Sequence, residues 1–320
     1  VAGATKRQCA TPGLVRKLLE GCGTPTTPGR HEGRPARNES GPGIRERQRL
    51  LIEAILPELA DESVLSHQSA AVLYGTALWR TPLDRVCVTR NRRGGGRTRP
   101  HTKVYGSPLD SVAEVDGLLV TTPARTVVDL ALTLPFDAAV VAGDALAGMF
   151  GLTPDDPAEE LARAKFRHGI TRAKQAVAFV DGRSRSAGES LSRAMIRRCG
   201  LPPPATQGTV LTPDGRFITR ADFYYEQAGV ICQFDGPIYY GRALRHGHDP
   251  AEVVHREQAR ETYLRALGFH VVRWTWNDLR TDEPGRRLRA ALTRGRRDRP
   301  DARIEPTPAV QARQVPTHPL

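Results

Sequence analysis

Between residues 187 and 275 the apolar residues change their spacing in a fixed order, and that order leaves few folds open. A helix is expected over 187–199, capped by Ser186 and stopped by Gly200 ahead of Pro202-Pro203-Pro204. Two strand-like runs, 205–211 and 216–224, meet at Pro213-Asp214-Gly215, a turn sequence. A third apolar run covers 229–235. After a polar loop comes a helical run over 251–267, ending at Gly268, and then the strand Phe269 to Thr275. The order helix, three strands, helix, strand predicts a compact αβββαβ unit. A basic helix is expected at 282–295, and 297–320 reads as a disordered polar tail.

The chain ahead of this unit has a different texture. Residues 1–43 are rich in Gly, Pro, Thr and Arg, lack sustained periodicity, and read as a disordered basic segment. Order is expected from Ile44, with a helix to Leu56 and a second from His67 to Tyr74, capped by Ser66 and ended by Gly75. Strands are expected at 85–89, 102–105 and 117–121. The first two are joined by an arginine- and glycine-rich segment, read as a hairpin tip. Thr122-Pro123 marks a helix start, and Arg125 and Asp129 stand four apart, where they can pair. Helical patterns continue at 137–149, 157–167 and 171–180. A polar stretch at 183–188 marks the boundary between an α/β domain over 44–183 and a second over 184–296. The expected class is therefore α/β (α+β), a mixed helical domain with a small sheet followed by the αβββαβ domain.

Charge points to a polyanionic partner. The 320-residue chain carries +12, and the excess is unevenly placed. Residues 85–103 hold seven Lys or Arg and no acid, whereas 104–180 hold ten acids against six bases. Clustered cations suit a phosphate backbone, so DNA is the expected partner. Arg92, Arg93, Arg97 and Arg99 are its candidate ligands, although a merely solvated loop would look the same. Cys9, Cys22, Cys87, Cys199 and Cys232 are odd in number and form no Cys-x-x-Cys pair, which fits a reducing cytoplasm. No apolar run approaches the roughly 18 residues a membrane span needs. No secretion signal is visible, so a cytoplasmic location is expected.

Four side chains in the second unit carry the chemistry. Glu189 opens the first helix, Asp222 lies in the second strand, and Gln233 and Asp235 stand two apart in the third. Hard anionic oxygens converging from a helix and two adjacent strands are what a magnesium site for phosphodiester cleavage requires. Gln233 offers a neutral amide where a carboxylate is wanted. Arg273, between Val272 and Trp274, should face the same side as the acids, as a phosphate contact or as a structural ion pair. Glu257 and Arg260 lie one turn apart on the helix 251–267, where they can pair, and Glu257 is also a candidate for a supporting role. His246, His248 and His255 lack the spacing of a zinc site.

These elements resemble the Vsr-like branch of the PD-(D/E)XK nucleases over roughly residues 187–279. The resemblance is carried by Glu189, Asp222, Gln233-Phe234-Asp235-Gly236-Pro237-Ile238-Tyr239, and Leu267-Gly268-Phe269-His270-Val271-Val272-Arg273-Trp274. It implies a restriction-endonuclease-like fold and a weakly held Mg2+ on Asp222, Asp235 and Glu189, with Gln233 lending its carbonyl oxygen. Gln233 stands where the family has a second acid, and Tyr239 where it has His or Lys. Residues 44–183 resemble the region ahead of such a domain in actinobacterial AbiEi-type antitoxin-like proteins. Here the carriers are Ser66-His67-Gln68-Ser69-Ala70-Ala71 and the run from Thr121 to Leu130. That implies a regulator or antitoxin-related factor with a toxin or other protein as a further partner. The expected function is DNA binding by a nuclease-like scaffold; an active magnesium-dependent endonuclease, or a poorly functional remnant, are the alternatives.

Overall fold

The computed structural model describes residues 42–236, 250–295, 302–308 and 311–320. The chain divides into two compact units, residues 1–180 with 312–320, and residues 181–311. The fold class is α/β, as the alternating patterns predict.

In the first unit α1 (Pro42–Ile55) leads into β1 (Ser63–Leu65), α2 (His67–Leu73), β2 (Val86–Arg90), β3 (Arg97–Thr98) and β4 (Thr102–Gly106). β5 (Ser111–Val115) and β6 (Leu118–Thr121) then precede α3 (Pro123–Thr133), α4 (Phe136–Phe150), α5 (Asp155–Arg163) and α6 (Ile170–Val177). Thr122 caps α3, its Oγ1 accepting from the Arg125 amide at 3.3 Å, with Pro123 at the first helical position. The sheet order is β12-β5-β6-β1-β2-β4-β3, where β12 is Thr317–Pro319.

One expectation fails here. β2 and β4 are parallel, paired from Val86 with Thr102 to Arg90 with Gly106, so the segment between them is no hairpin tip. The chain crosses over the end of β4, runs down as β3, and returns as β4 between β3 and β2. Gly106 makes that crossing fit, because a Cβ there would lie 2.3 Å from the Gly94 carbonyl oxygen. Arg92, Arg93, Arg97 and Arg99 are exposed on this crossover and on β3. Arg92 donates to the Gly95 carbonyl at 2.9 Å, closing the loop on itself.

The second unit contains α7 (Ala187–Arg198), β7 (Ala205–Leu211), β8 (Phe217–Tyr225), β9 (Val230–Asp235), α8 (Pro250–Ala266), β10 (His270–Thr275), α9 (Glu283–Gly295) and β11 (Arg303–Pro306). Its sheet runs β10-β9-β8-β7-β11; β8 is antiparallel to both β7 and β9, and β10 is parallel to β9. Strand alternation sorts the core into two layers. Phe223, Val230, Cys232, Val272 and Trp274 pack against Met195 and Ile196 of α7 and Leu288 of α9. Tyr224 and Ile231 face the other way, towards Leu264 of α8, Phe269 and Ile304. The buried Trp274 indole donates to Ser192 Oγ at 2.7 Å, tying β10 to α7.

The reading of 297–320 as disordered is corrected for its described residues. Arg303–Pro306 pair antiparallel with β7, and Thr317–Pro319 pair with β5. Both are short edge strands, where proline is tolerated because one side of the backbone goes unpaired. Ile304 is their one large apolar anchor, 8% exposed against Val210 and Tyr224. A single buried position gives no periodic signal. Replacing it with a charge, Ile304→Asp, should destabilise the protein by about 2–5 kcal/mol in urea unfolding. An unchanged unfolding curve would show that this strand does not dock.

Candidate functional site

The site is built where β8 and β9 part. Their ladder runs from Tyr225 with Val230 to Phe223 with Cys232, so the next pair in register would be Asp222 with Gln233. Those two side chains take over from the ladder. Asp222 Oδ2 accepts the Phe234 amide at 2.8 Å, and Gln233 Nε2 donates to the Arg220 carbonyl at 3.3 Å. The fork is thus held open by side chains, and the acids lie at its mouth. Gly188 lets the start of α7 approach: a Cβ there would fall 1.9 Å from Phe234 Cε1.

Glu189 reaches this place through helix capping. Ser186 Oγ accepts the Glu189 amide at 3.1 Å and donates to Glu189 Oε1 at 3.0 Å. Glu189 Oε2 accepts from the Arg185 amide at 2.9 Å and from Gln207 Nε2 at 2.8 Å. Gln207 was invisible to sequence reasoning. It lies opposite Asp222 on β7, between the pairs Thr206–Phe223 and Gly208–Ala221, with a left-handed φ of 56°. A non-glycine residue held there stores strain of about 1 kcal/mol or more. No local signal marks it, since its partner Glu189 lies 18 residues back in the chain.

Burial raises the Glu189 carboxyl above its ordinary range despite these donors. Asp222 goes further, pushed up to about 7 by burial first, then by the Glu189 and Asp235 charges; the Phe234 amide and Arg273 oppose the shift. Two carboxyls brought together in this way favour a shared proton or a cation. Asp235 is differently placed. Arg273 grips it with Nε at 2.9 Å and a second guanidinium nitrogen at 2.7 Å. The third nitrogen of Arg273 donates to Glu257 at 2.7 Å, and Arg260 also donates to Glu257 at 2.8 Å. Burial alone would lower the Arg273 pKa, but the hydrogen bonds from Asp235 and Glu257 outweigh it and hold the guanidinium protonated. Of the two roles open to Arg273, this geometry displays the ion pair.

These residues do not, as arranged, fit a magnesium ion. Both Asp235 oxygens are taken by Arg273, Glu189 is met by three donors, and Gln233 turns its amide nitrogen into the fork. Among the described residues no group of three or more His, Cys, Asp or Glu side chains is gathered to hold a metal. Tyr239, His246 and His248 lie outside the described residues, and His255 is exposed. Arg92, Arg93, Arg97 and Arg99 belong to the other unit.

The first unit has a polar cluster of its own. His67 is fully buried with φ 51°, its ring stacked 3.7 Å from Tyr105, and its Nδ1 is 2.9 Å from Ser66 Oγ. Ser66 therefore spends its hydroxyl on His67 and makes no side-chain cap to α2. Asp129 is also fully buried and accepts from Arg125 Nε and Arg167, both at 3.0 Å. Arg125 also donates to the Pro108 carbonyl and to Ser107 Oγ, so the expected helix pair anchors a loop as well. Burial pulls the His67 pKa down to about 4, against the Asp129 charge.

Two titrations follow. Asp222 binds its proton more tightly folded than unfolded, so its penalty on stability is absent well below its unfolded pKa of 3.8, grows as pH rises from there, and is complete above pH 7. Asp222→Asn should raise the unfolding midpoint at pH 8 by a few degrees, at least about 1 kcal/mol, and leave it unchanged near pH 3. His67 works in the opposite sense. Its contribution is complete above its unfolded pKa near 6.5 and is lost as pH falls towards 4. NMR of the His67 ring should therefore show a neutral imidazole at pH 5.5, where an exposed histidine is mostly charged.

Comparison with known proteins finds no matching family model and no matching solved structure. It does find curated relatives in Mycobacterium tuberculosis, "Uncharacterized protein Rv2248" and "Uncharacterized protein MT2308". Each is 30% identical over 248 residues, a stretch covering 75% of this chain and 86% of the relative. Among the described residues no helix is long and apolar enough to cross a membrane. At that identity and coverage, the chain belongs to the same family as these two mycobacterial proteins.

Proposed function

We propose that this protein is a DNA-binding protein whose second unit is a nuclease-like scaffold that holds DNA without cutting it, acting as a regulator or antitoxin-related factor. The observation that carries the reading is the two-pronged grip of Arg273 on Asp235 beside Gln233. It neutralises the remaining acid of the third strand from within the protein. Net charge of +12 and exposed arginines supply the attraction to a polyanion. Cytoplasmic DNA is the expected partner, with a toxin or other protein as a further one.

One observation favours a second reading, an endonuclease dependent on Mg2+. Glu189 and Asp222 are brought together and pushed towards protonation, which a divalent cation would relieve. In that case Asp222, Glu189 and a released Asp235 would hold the ion, and it would supply charge neutralisation at a phosphodiester.

Plasmid nicking and duplex binding separate the two. Wild-type protein should bind a labelled duplex with affinity that falls steeply with salt, and Mg2+ or Mn2+ should produce no nicking beyond that of Asp222→Ala. Metal-dependent nicking that is abolished in Asp222→Ala would replace the first reading with the second. Absence of salt-sensitive binding would reject both.

A further inference from the structure

A cleft of about 490 Å³ lies along the free edge of β10, between α8 and α9. Its floor is β10 itself, including Val271 and Val272, and its walls carry Arg265 from α8 and Arg287 and Arg294 from α9. Arg273 also lines it, and the one acid among the lining residues is Glu261. Arg265 is 61% exposed and pairs with Glu261 at 2.6 Å; Arg287 is 41% exposed and lies 3.5 Å from Asp278. Arg294 is exposed and meets no carboxylate among the described residues. Cationic side chains thus outnumber acidic ones in a concave, partly apolar groove.

We propose that this cleft is a docking groove for the sugar-phosphate backbone of a nucleic acid, with Arg265, Arg287 and Arg294 as its phosphate ligands. The inference rests on the DNA-binding reading above and gives it a place. Arg287 and Arg294 are seven residues apart, two turns along one face of α9, so they span about 10.5 Å. That separation is wide enough for the two guanidinium groups to meet different phosphates of one strand. Glu257 and Glu261 stand one turn apart on α8 and both face Arg273, at 2.7 and 3.8 Å. The groove therefore leads along α8 to the residue that clamps Asp235.

An acidic peptide adding a strand to β10 is the competing occupant, and the edge is too short for it. The His270 amide is used by the Gly229 carbonyl, and the Thr275 amide by Asp278 Oδ2. Strand alternation then leaves only Val271 and Arg273 with backbone groups pointing outward. Side-chain cations, rather than a ladder of amides, are what this edge offers.

The test is fluorescence anisotropy of the full chain with a short labelled duplex over a salt series. Arg287→Gln/Arg294→Gln should weaken binding by about tenfold or more and make the log K against log salt slope shallower by about two. Arg294→Gln alone should remove about one, so a failure of the double variant to fold does not end the test. Lys165→Gln/Lys174→Gln, which removes equal charge from the first unit, should leave the slope near the wild-type value. Equal losses in the two double variants, with wild type binding normally, would overturn the groove and leave DNA binding standing. Wild-type protein that shows no salt-dependent binding would sink both. Capture of an oligoglutamate peptide by the groove without capture of the duplex would assign it to an acidic protein and overturn the proposal.

Discussion

The hydrogen bond from the Phe234 amide to Asp222 is the constraint on which the second unit's site depends. A ladder that continued past Phe223 and Cys232 would satisfy those backbone groups with each other and close the sheet. Here a carboxylate and an amide side chain do that work for the Phe234 amide and the Arg220 carbonyl as β8 and β9 separate. Space opens at the sheet's end for side chains to converge from α7, β8 and β9. Gly188 lets the helix come close enough to deliver Glu189.

Charge is distributed within that fork in two ways. Glu189 and Asp222 are forced towards each other; the hydrogen bonds that meet them come from uncharged groups, the Arg185 and Phe234 amides, Ser186 and Gln207, while the charges of Arg185 and Arg273 act on them without a side-chain hydrogen bond. Asp235 has instead a full counter-charge, itself steadied by Glu257. Removing one partner of a half-buried ion pair leaves the other uncompensated, so Asp235 and Arg273 constrain each other. The strained backbone at Gln207 accompanies the crowding of Glu189 and Asp222, and its side-chain amide donates to Glu189, one of the two acids.

Much of this was legible in the amino-acid order. Gly200, Asp214-Gly215 and Gly268 punctuate the elements where the structure ends them, each with the positive φ that glycine accepts at Gly200, Gly215 and Gly268. Ser186 reads as the cap of the helix that Glu189 opens, and the structure forms that cap, with Glu189 itself returning the bond to Ser186. What was hidden depends on partners distant in sequence. The parallel pairing of β2 with β4 uses the same glycine-rich linker that a hairpin would. Arg273 carries no mark that chooses a carboxylate over a phosphate. Ser66 has the residue type of a cap, yet its hydroxyl is drawn to a histidine held in a left-handed backbone.

The two late edge strands bear on how the protein is made. β11 completes the sheet of the second unit, and β12, further along, completes the sheet of the first. During synthesis the first unit must wait with β5 bare until more than a hundred residues of the second have emerged. An unfinished sheet margin of that kind invites pairing with a neighbouring nascent chain. Nascent copies on one messenger are therefore exposed to strand exchange, and a fragment cut off after residue 180 would keep that exposure permanently.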